Sequence, residues 1–69
     1  MELTKKLKIA MLEQNINQVE LARKIGQNQG NLSAKMCSEN YRVKEYENLV
    51  KAIGCELEIN IILPNGKRV

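Results

Sequence analysis

Residues 17–36 read NQVELARKIGQNQGNLSAKM, and this stretch decides the fold. Its apolar positions are Val19, Leu21, Ala22, Ile25 and Leu32. Leu21 and Ile25 are four residues apart and share one helix face. Ala22 is small, at a point where a second helix can cross closely. Gly26 follows Ile25, where a helix commonly ends in a left-handed residue that only Gly adopts cheaply. Polar residues follow, and Asn28 is placed to cap a new helix. At the front of the stretch, Asn17 and Glu20 fit a capping box, and Ile16 stands where it can staple back onto Leu21. The reading is two short helices joined by a tight turn, about Gln18–Ile25 and Gln29–Met36. Gly30 inside the second costs about 1 kcal/mol against Ala.

Working outward, Leu3, Leu7, Ala10 and Met11 form one apolar stripe, which predicts a helix over Leu3–Gln14. Lys5, Lys6 and Lys8 lie mainly off that stripe, and Asn15 and Asn17 break the helix. The stretch CSENYR, Cys37–Arg42, reads as a loop. A further helix is expected over Val43–Ile53 with Tyr46, Leu49, Val50 and Ile53 on its inner face, terminated by Gly54.

Beyond Gly54 the period changes. Cys55, Leu57, Ile59, Ile61 and Leu63 alternate with Glu56, Glu58, Asn60 and Ile62, the pattern of a half-buried strand. Pro64-Asn65-Gly66-Lys67 signals a turn, leaving Lys67–Val69 barely long enough to pair back. A lone strand cannot satisfy its own backbone groups. Pairing with the same strand of a second copy across a two-fold axis is the economical solution. A strand folded back on its own helices in a monomer is the competing reading.

Sixty-nine residues leave room for one domain with a small, aliphatic core, since the chain has no Trp and no Phe. Such small chains often gain stability by oligomerising. A net charge of +3 and a pI near 9.0 are compatible with nucleic acid without demanding it. Cys37 and Cys55 make no ligand pattern and there is no His, so neither zinc nor another metal is expected. No secretory signal and no membrane-spanning apolar run are visible; reduced thiols and a cytoplasmic setting are expected. No cofactor is expected and no catalytic constellation is visible. Glu45 and Glu47 are two apart on a helix and cannot face one another as an acid–base pair, so the chain does not read as an enzyme.

The layout of residues 17–36 is the helix-turn-helix arrangement. It resembles the helix-turn-helix of the Cro and phage cI repressor family, also called XRE-like, through Gln18, Leu21, Ala22, Ile25, Gly26, Gln29 and Leu32. The resemblance covers roughly residues 3–53. Many relatives hold a buried Arg–Glu pair where this chain has Met11 and Met36; losing both charges together avoids an unpaired buried ion, and the two methionines are expected to touch. Gln27 also departs from the apolar residue usual after the turn glycine.

The expected architecture is therefore mainly α. Four to five short helices surround a central, lambda-repressor-like helix-turn-helix, followed by a C-terminal β-strand or short hairpin. Residues 1–54 would form the DNA-binding domain. Residues 55–69 would be a dimerisation element carried by Leu57, Ile59, Ile61 and Leu63, as Cro-like proteins dimerise through a C-terminal strand. In a helix-turn-helix the second helix enters the major groove, which makes Asn28, Gln29, Asn31, Ser33 and Lys35 the base-reading candidates. Asn and Gln amides match adenine N6 and N7. Gln29 matches a position that commonly reads a base in the lambdoid repressors. Ala34, like Gly30, falls where related proteins often place a reading side chain, and it could meet a thymine methyl. Gln18 resembles the family's phosphate-binding glutamine, with Asn17 beside it, and Asn40, Arg42 and Lys44 fall where the family makes further backbone contacts. The function implied is a small dimeric transcriptional repressor on double-stranded DNA with an inverted-repeat operator. The alternative is a protein-interaction module, or an antitoxin component that binds a toxin.

Overall fold

A computed structural model describes residues 3–69; Met1 and Glu2, counted above in the first segment, lie outside the described residues. The chain is mainly α, in the order α1 (Leu3–Glu13), α2 (Gln18–Lys24), α3 (Gln29–Ser38) and α4 (Val43–Ala52). No helix is long and apolar enough to cross a membrane among the described residues.

The core is built from the helical stripes. Leu7 and Met11 of α1, Leu21 and Ala22 of α2, Leu32 and Met36 of α3, and Tyr46, Leu49 and Val50 of α4 are buried together with Ile53. Leu3, Ala10, Ile16, Ile25, Tyr41, Cys55 and Leu57 pack around them half-buried. Val19, grouped above with the apolar positions of α2, is 46% exposed and stands outside the core. Met11 and Met36 are both buried members of this one cluster, and no charged side chain is buried among the described residues. Each fully buried Leu contributes about 1.5–3 kcal/mol relative to exposure.

Local sequence sets the helix ends. Asn17 and Glu20 form the expected capping box: Asn17 Oδ1 accepts the Glu20 N–H at 2.8 Å and Glu20 Oε1 accepts the Asn17 N–H at 3.4 Å. Asn28 Oδ1 caps α3 by accepting the Asn31 N–H at 2.7 Å. Three helices stop in the same way, with paired 6→1 and 5→2 backbone bonds around a left-handed residue. In α2 the residue is Gly26 (φ 72°), and Gln27 N–H reaches Ala22 O at 2.9 Å. In α4 it is Gly54 (φ 80°), and Cys55 N–H reaches Val50 O at 3.1 Å. In α1 it is Asn15 (φ 57°), and Ile16 N–H reaches Met11 O at 2.9 Å. The same bond carries Ile16 back toward the core it half-covers.

The end of α3 differs from the expectation. It runs to Ser38, so Cys37 and Ser38 are helical and not part of a loop. Glu39 takes the left-handed conformation (φ 54°) with its N–H on Lys35 O at 3.1 Å. The reason lies far away in sequence. The Glu39 carboxylate accepts the Thr4 N–H at 2.9 Å, and Thr4 Oγ1 donates to Met36 O at 2.6 Å. The start of α1 thus satisfies the end of α3, where a short helix would otherwise fray. Tyr41 Oη shares a hydrogen bond with Thr4 Oγ1, and Tyr46 Oη donates to Leu3 O at 2.8 Å. The two rings meet edge-on with centroids 5.1 Å apart. Burial pushes both phenols above their ordinary range, so both hydroxyls stay protonated.

The C-terminal segment is a second correction. The alternation over Cys55–Leu63 does not produce a β-strand among the described residues; what forms is an isolated antiparallel bridge between Ile62 and Arg68. Ile61 and Val69 exchange both backbone bonds at 2.9 Å, and Leu63 N–H reaches Lys67 O at 2.8 Å. The turn closes through Gly66 N–H to Leu63 O at 2.8 Å. A strand requires a ladder, and among the described residues 67–69 are the ones that bond back, reaching only 61–63. Leu57 and Leu63 are half-buried, whereas Ile59, Ile61, Ile62 and Val69 are 61–66% exposed. The radius of gyration is 13.3 Å, against about 11 Å for a compact chain of this length. That excess fits a tail that adds length without adding core.

Candidate nucleic-acid interface

α2 and α3 pack against each other across the connection Ile25–Asn28, and α2 also touches α4. α3 is two-sided. Leu32 and Met36 face inward, and at 3.6 residues per turn the opposite side carries Gly30, Ala34 and Cys37, flanked by Asn31 and Ser38. All five are exposed. A Cβ on Gly30 would meet only Asn28 Oδ1, at 3.4 Å, so this face is open to an approaching partner.

The base-reading candidates divide into three groups. Gln29, Asn31 and Ser33 are exposed on the first turns of α3, with amide and hydroxyl groups available to solvent. Asn28 is exposed but its carbonyl oxygen is used for capping. Lys35 is turned elsewhere: its ammonium lies 3.1 Å from Glu45 Oε2 on α4 and donates to Asn40 O at 3.4 Å. It stands off the outer face, on the side of the helix nearer α4.

The phosphate-binding candidates are also distributed. Asn17 is exposed with its side chain in the capping box, and that box sets the Glu20 carboxylate at the start of α2, close to where an anion would come. Gln18 beside it is half-buried. Asn40 is exposed, with its N–H on Ser38 Oγ at 3.3 Å. Arg42 is exposed at the cap position of α4; a guanidinium carries no acceptor atom, so it cannot cap the helix, and the Arg42 backbone N–H is taken by Glu45 Oε1 at 3.2 Å. Lys44 is 79% exposed and lies 3.5 Å from Glu47, a pair weak enough to yield to a phosphate. The structure therefore brings Asn40, Arg42 and Lys44 together between the end of α3 and the first turn of α4, while Asn17 and Gln18 sit at the start of α2.

Glu45 and Glu47 serve different partners. Glu45 takes Lys35 and the Arg42 N–H, and these hydrogen bonds hold its carboxyl below the ordinary carboxylate range. Glu47 lies between Lys44 and Lys51, at 3.5 and 3.8 Å. Among the described residues no three of His, Cys, Asp or Glu converge in a way that could hold a metal. Cys37 and Cys55 are free thiols, exposed and half-buried respectively.

Cys37 and Ser38 are the surface positions that sequence reading missed, because α3 was ended at Met36. The contacts that hold this last turn come from Thr4, more than thirty residues away, so no local spacing signals it. Comparison with family profiles, with characterised proteins and with solved structures gives no match to this chain.

Proposed function

We propose that this chain is a sequence-specific DNA-binding transcriptional regulator, acting as a small dimeric repressor. In this reading α2 and α3 are a helix-turn-helix, and α3 enters the major groove with Gln29, Asn31 and Ser33 toward base edges. The observation that carries the reading is the two-sidedness of α3. One side is locked into the core by Leu32 and Met36, and the other is an exposed surface of small and polar residues at the end where reading side chains are needed. Small residues at Gly30 and Ala34 allow close approach, and Ala34 could touch a thymine methyl. Asn40, Arg42 and Lys44 would hold the flanking phosphates, setting register and affinity rather than sequence choice.

Dimerisation falls to residues 55–69. Residues 55–60 make no ladder among the described residues, and Ile59 and Ile61 are exposed. Pairing this segment with its counterpart in a second copy would complete the strand that the alternation anticipates and cover those side chains. Two α3 helices about 34 Å apart would then face successive major grooves, which makes the operator an inverted repeat. Repression follows from occupying the operator.

The second reading is a protein-interaction module or antitoxin, and the apolar tail favours it: Ile59, Ile61, Ile62 and Val69 beside Glu56 and Glu58 would suit another protein's sheet edge. Selection from a random duplex pool at physiological salt separates the two. The DNA reading expects enrichment of an inverted repeat, with Gln29→Ala altering preference at one position per half-site. Binding only at low salt, without enrichment, would leave nonspecific electrostatics alone and put the interaction module first.

A further inference from the structure

Asn28 is committed to capping its own helix, whereas the side chain of Lys35 is committed to partners beyond α3, and these define a different role. Its ammonium bridges the end of α3 to the start of α4, at 3.1 Å from Glu45 Oε2 and 3.4 Å from Asn40 O. Glu45 in turn holds the Arg42 N–H at 3.2 Å with its other oxygen. The chain Asn40–Lys35–Glu45–Arg42 thus closes a loop of polar contacts around residues 39–42. Lys35 lines a small hollow with Ile25, Leu32, Glu45 and Leu49. Its side-chain exposure is 35%, well below the 79% of Lys44.

We infer that Lys35 is a positioning residue that braces the α3–α4 connection, and not a base reader. It sets Asn40, Arg42 and Lys44 at a fixed place relative to the reading helix. The inference rests on the DNA-binding reading for what the connection is held ready to do. The brace itself is independent of that reading. A half-buried ion pair that also fixes a backbone carbonyl is worth more for geometry than for net stability, because it restricts which arrangement of the loop is satisfied.

The test compares Lys35→Met, Lys35→Arg, Glu45→Gln and the double variant Lys35→Met/Glu45→Gln. Gln at 45 can still accept the Arg42 N–H, so the α4 start is kept. Without DNA, carbon-detected NMR follows the Glu45 carboxyl, and hydrogen exchange follows the amides of 39–42. The expected result is that Lys35→Met moves the Glu45 titration back toward the ordinary carboxylate range and speeds exchange in the connection. On DNA, Lys35→Met and Glu45→Gln each weaken binding by about two- to fivefold, as for loss of one such pair. The loss is alike for selected and unselected sequences, the double variant loses no more than either single one, and Lys35→Arg restores most of it. An unmoved Glu45 titration overturns the brace. A base preference altered by Lys35→Met but not by Glu45→Gln overturns the positioning role and makes Lys35 a reader. If the wild type selects no duplex, the presentation of phosphate contacts falls with the DNA reading, while the Glu45 titration and amide exchange judge the brace by themselves.

Discussion

The body of the molecule, residues 3–53, and its tail, residues 55–69, answer the same physical demand differently. Each carries a clear apolar pattern. In the body the pattern has the helical period, each helix satisfies its own backbone, and the stripes need only side-chain partners, which neighbouring helices supply. In the tail the period is two, and an extended segment needs backbone partners as well. Among the described residues 61–63 find strand-like partners on 67–69, and Ile59, Ile61, Ile62 and Val69 stay exposed. The contrast teaches that a helical stripe can be completed by any apolar surface. A strand pattern is completed only by another edge, and among the described residues no such edge meets residues 55–60.

The largest effect expected is in the body. Leu21 is 0% exposed, and Leu21→Ala should cost about 2–5 kcal/mol. A chain of this length commands roughly 3–10 kcal/mol in all. Urea denaturation of Leu21→Ala beside Ile59→Ala in the tail sharpens the comparison, since the tail substitution in the dissociated chain should stay within about 0.5 kcal/mol. Equal losses at both sites would mean that the tail is already part of a packed core.

Next in size is the test of the missing edge. Ile61→Lys places a charge in the segment proposed to pair with a second copy. Sedimentation equilibrium should show self-association weakened by about tenfold or more, the equivalent of roughly 1.4 kcal/mol. A wild type that is monomeric at every accessible concentration would break the comparison from the other side, leaving the tail to a different partner.

Smaller again is the cap of α2. Asn17→Ala removes the acceptor for the Glu20 N–H and should cost about 1 kcal/mol, read from thermal melting. The body is predicted to feel this local change and the tail's amide exchange to ignore it. The smallest effect is the pH dependence of the α3–α4 connection. The Glu45 carboxyl titrates below its unfolded value because of Lys35 first and the Arg42 N–H second. Its contribution is therefore fully present above the unfolded carboxylate value and is lost as pH falls through the lowered folded one. A melting profile of Glu45→Gln should lack that acid limb.

Much of the body was legible because its determinants are local. The capping box of Asn17 and Glu20, the cap at Asn28, and the stops at Gly26 and Gly54 each involve residues within one turn of one another. The inner faces Leu7/Met11 and Tyr46/Leu49/Val50/Ile53 follow from spacing alone. Of the candidate interface, Gln29, Asn31 and Ser33 are exposed, and what points to them in the sequence is their place in the first turns of the second helix of the pair together with the family resemblance. Val19 is apolar and on a helix, yet it is exposed because nothing packs over it.

The sequence by itself thus determined that the chain is mainly α, where α2, α3 and α4 start, most of the helix ends and which side of each is apolar. Capping, left-handed stops and stripes are all short-range physics. Only the tertiary structure decided that α3 continues to Ser38, because Thr4 reaches Met36 and Glu39 across more than thirty residues of chain. It also decided that Lys35 turns to Glu45 rather than outward. It decided that, among the described residues, 55–60 have no ladder and only 61–63 pair back, since the pattern of a strand says which faces are apolar and not whether a neighbouring edge exists.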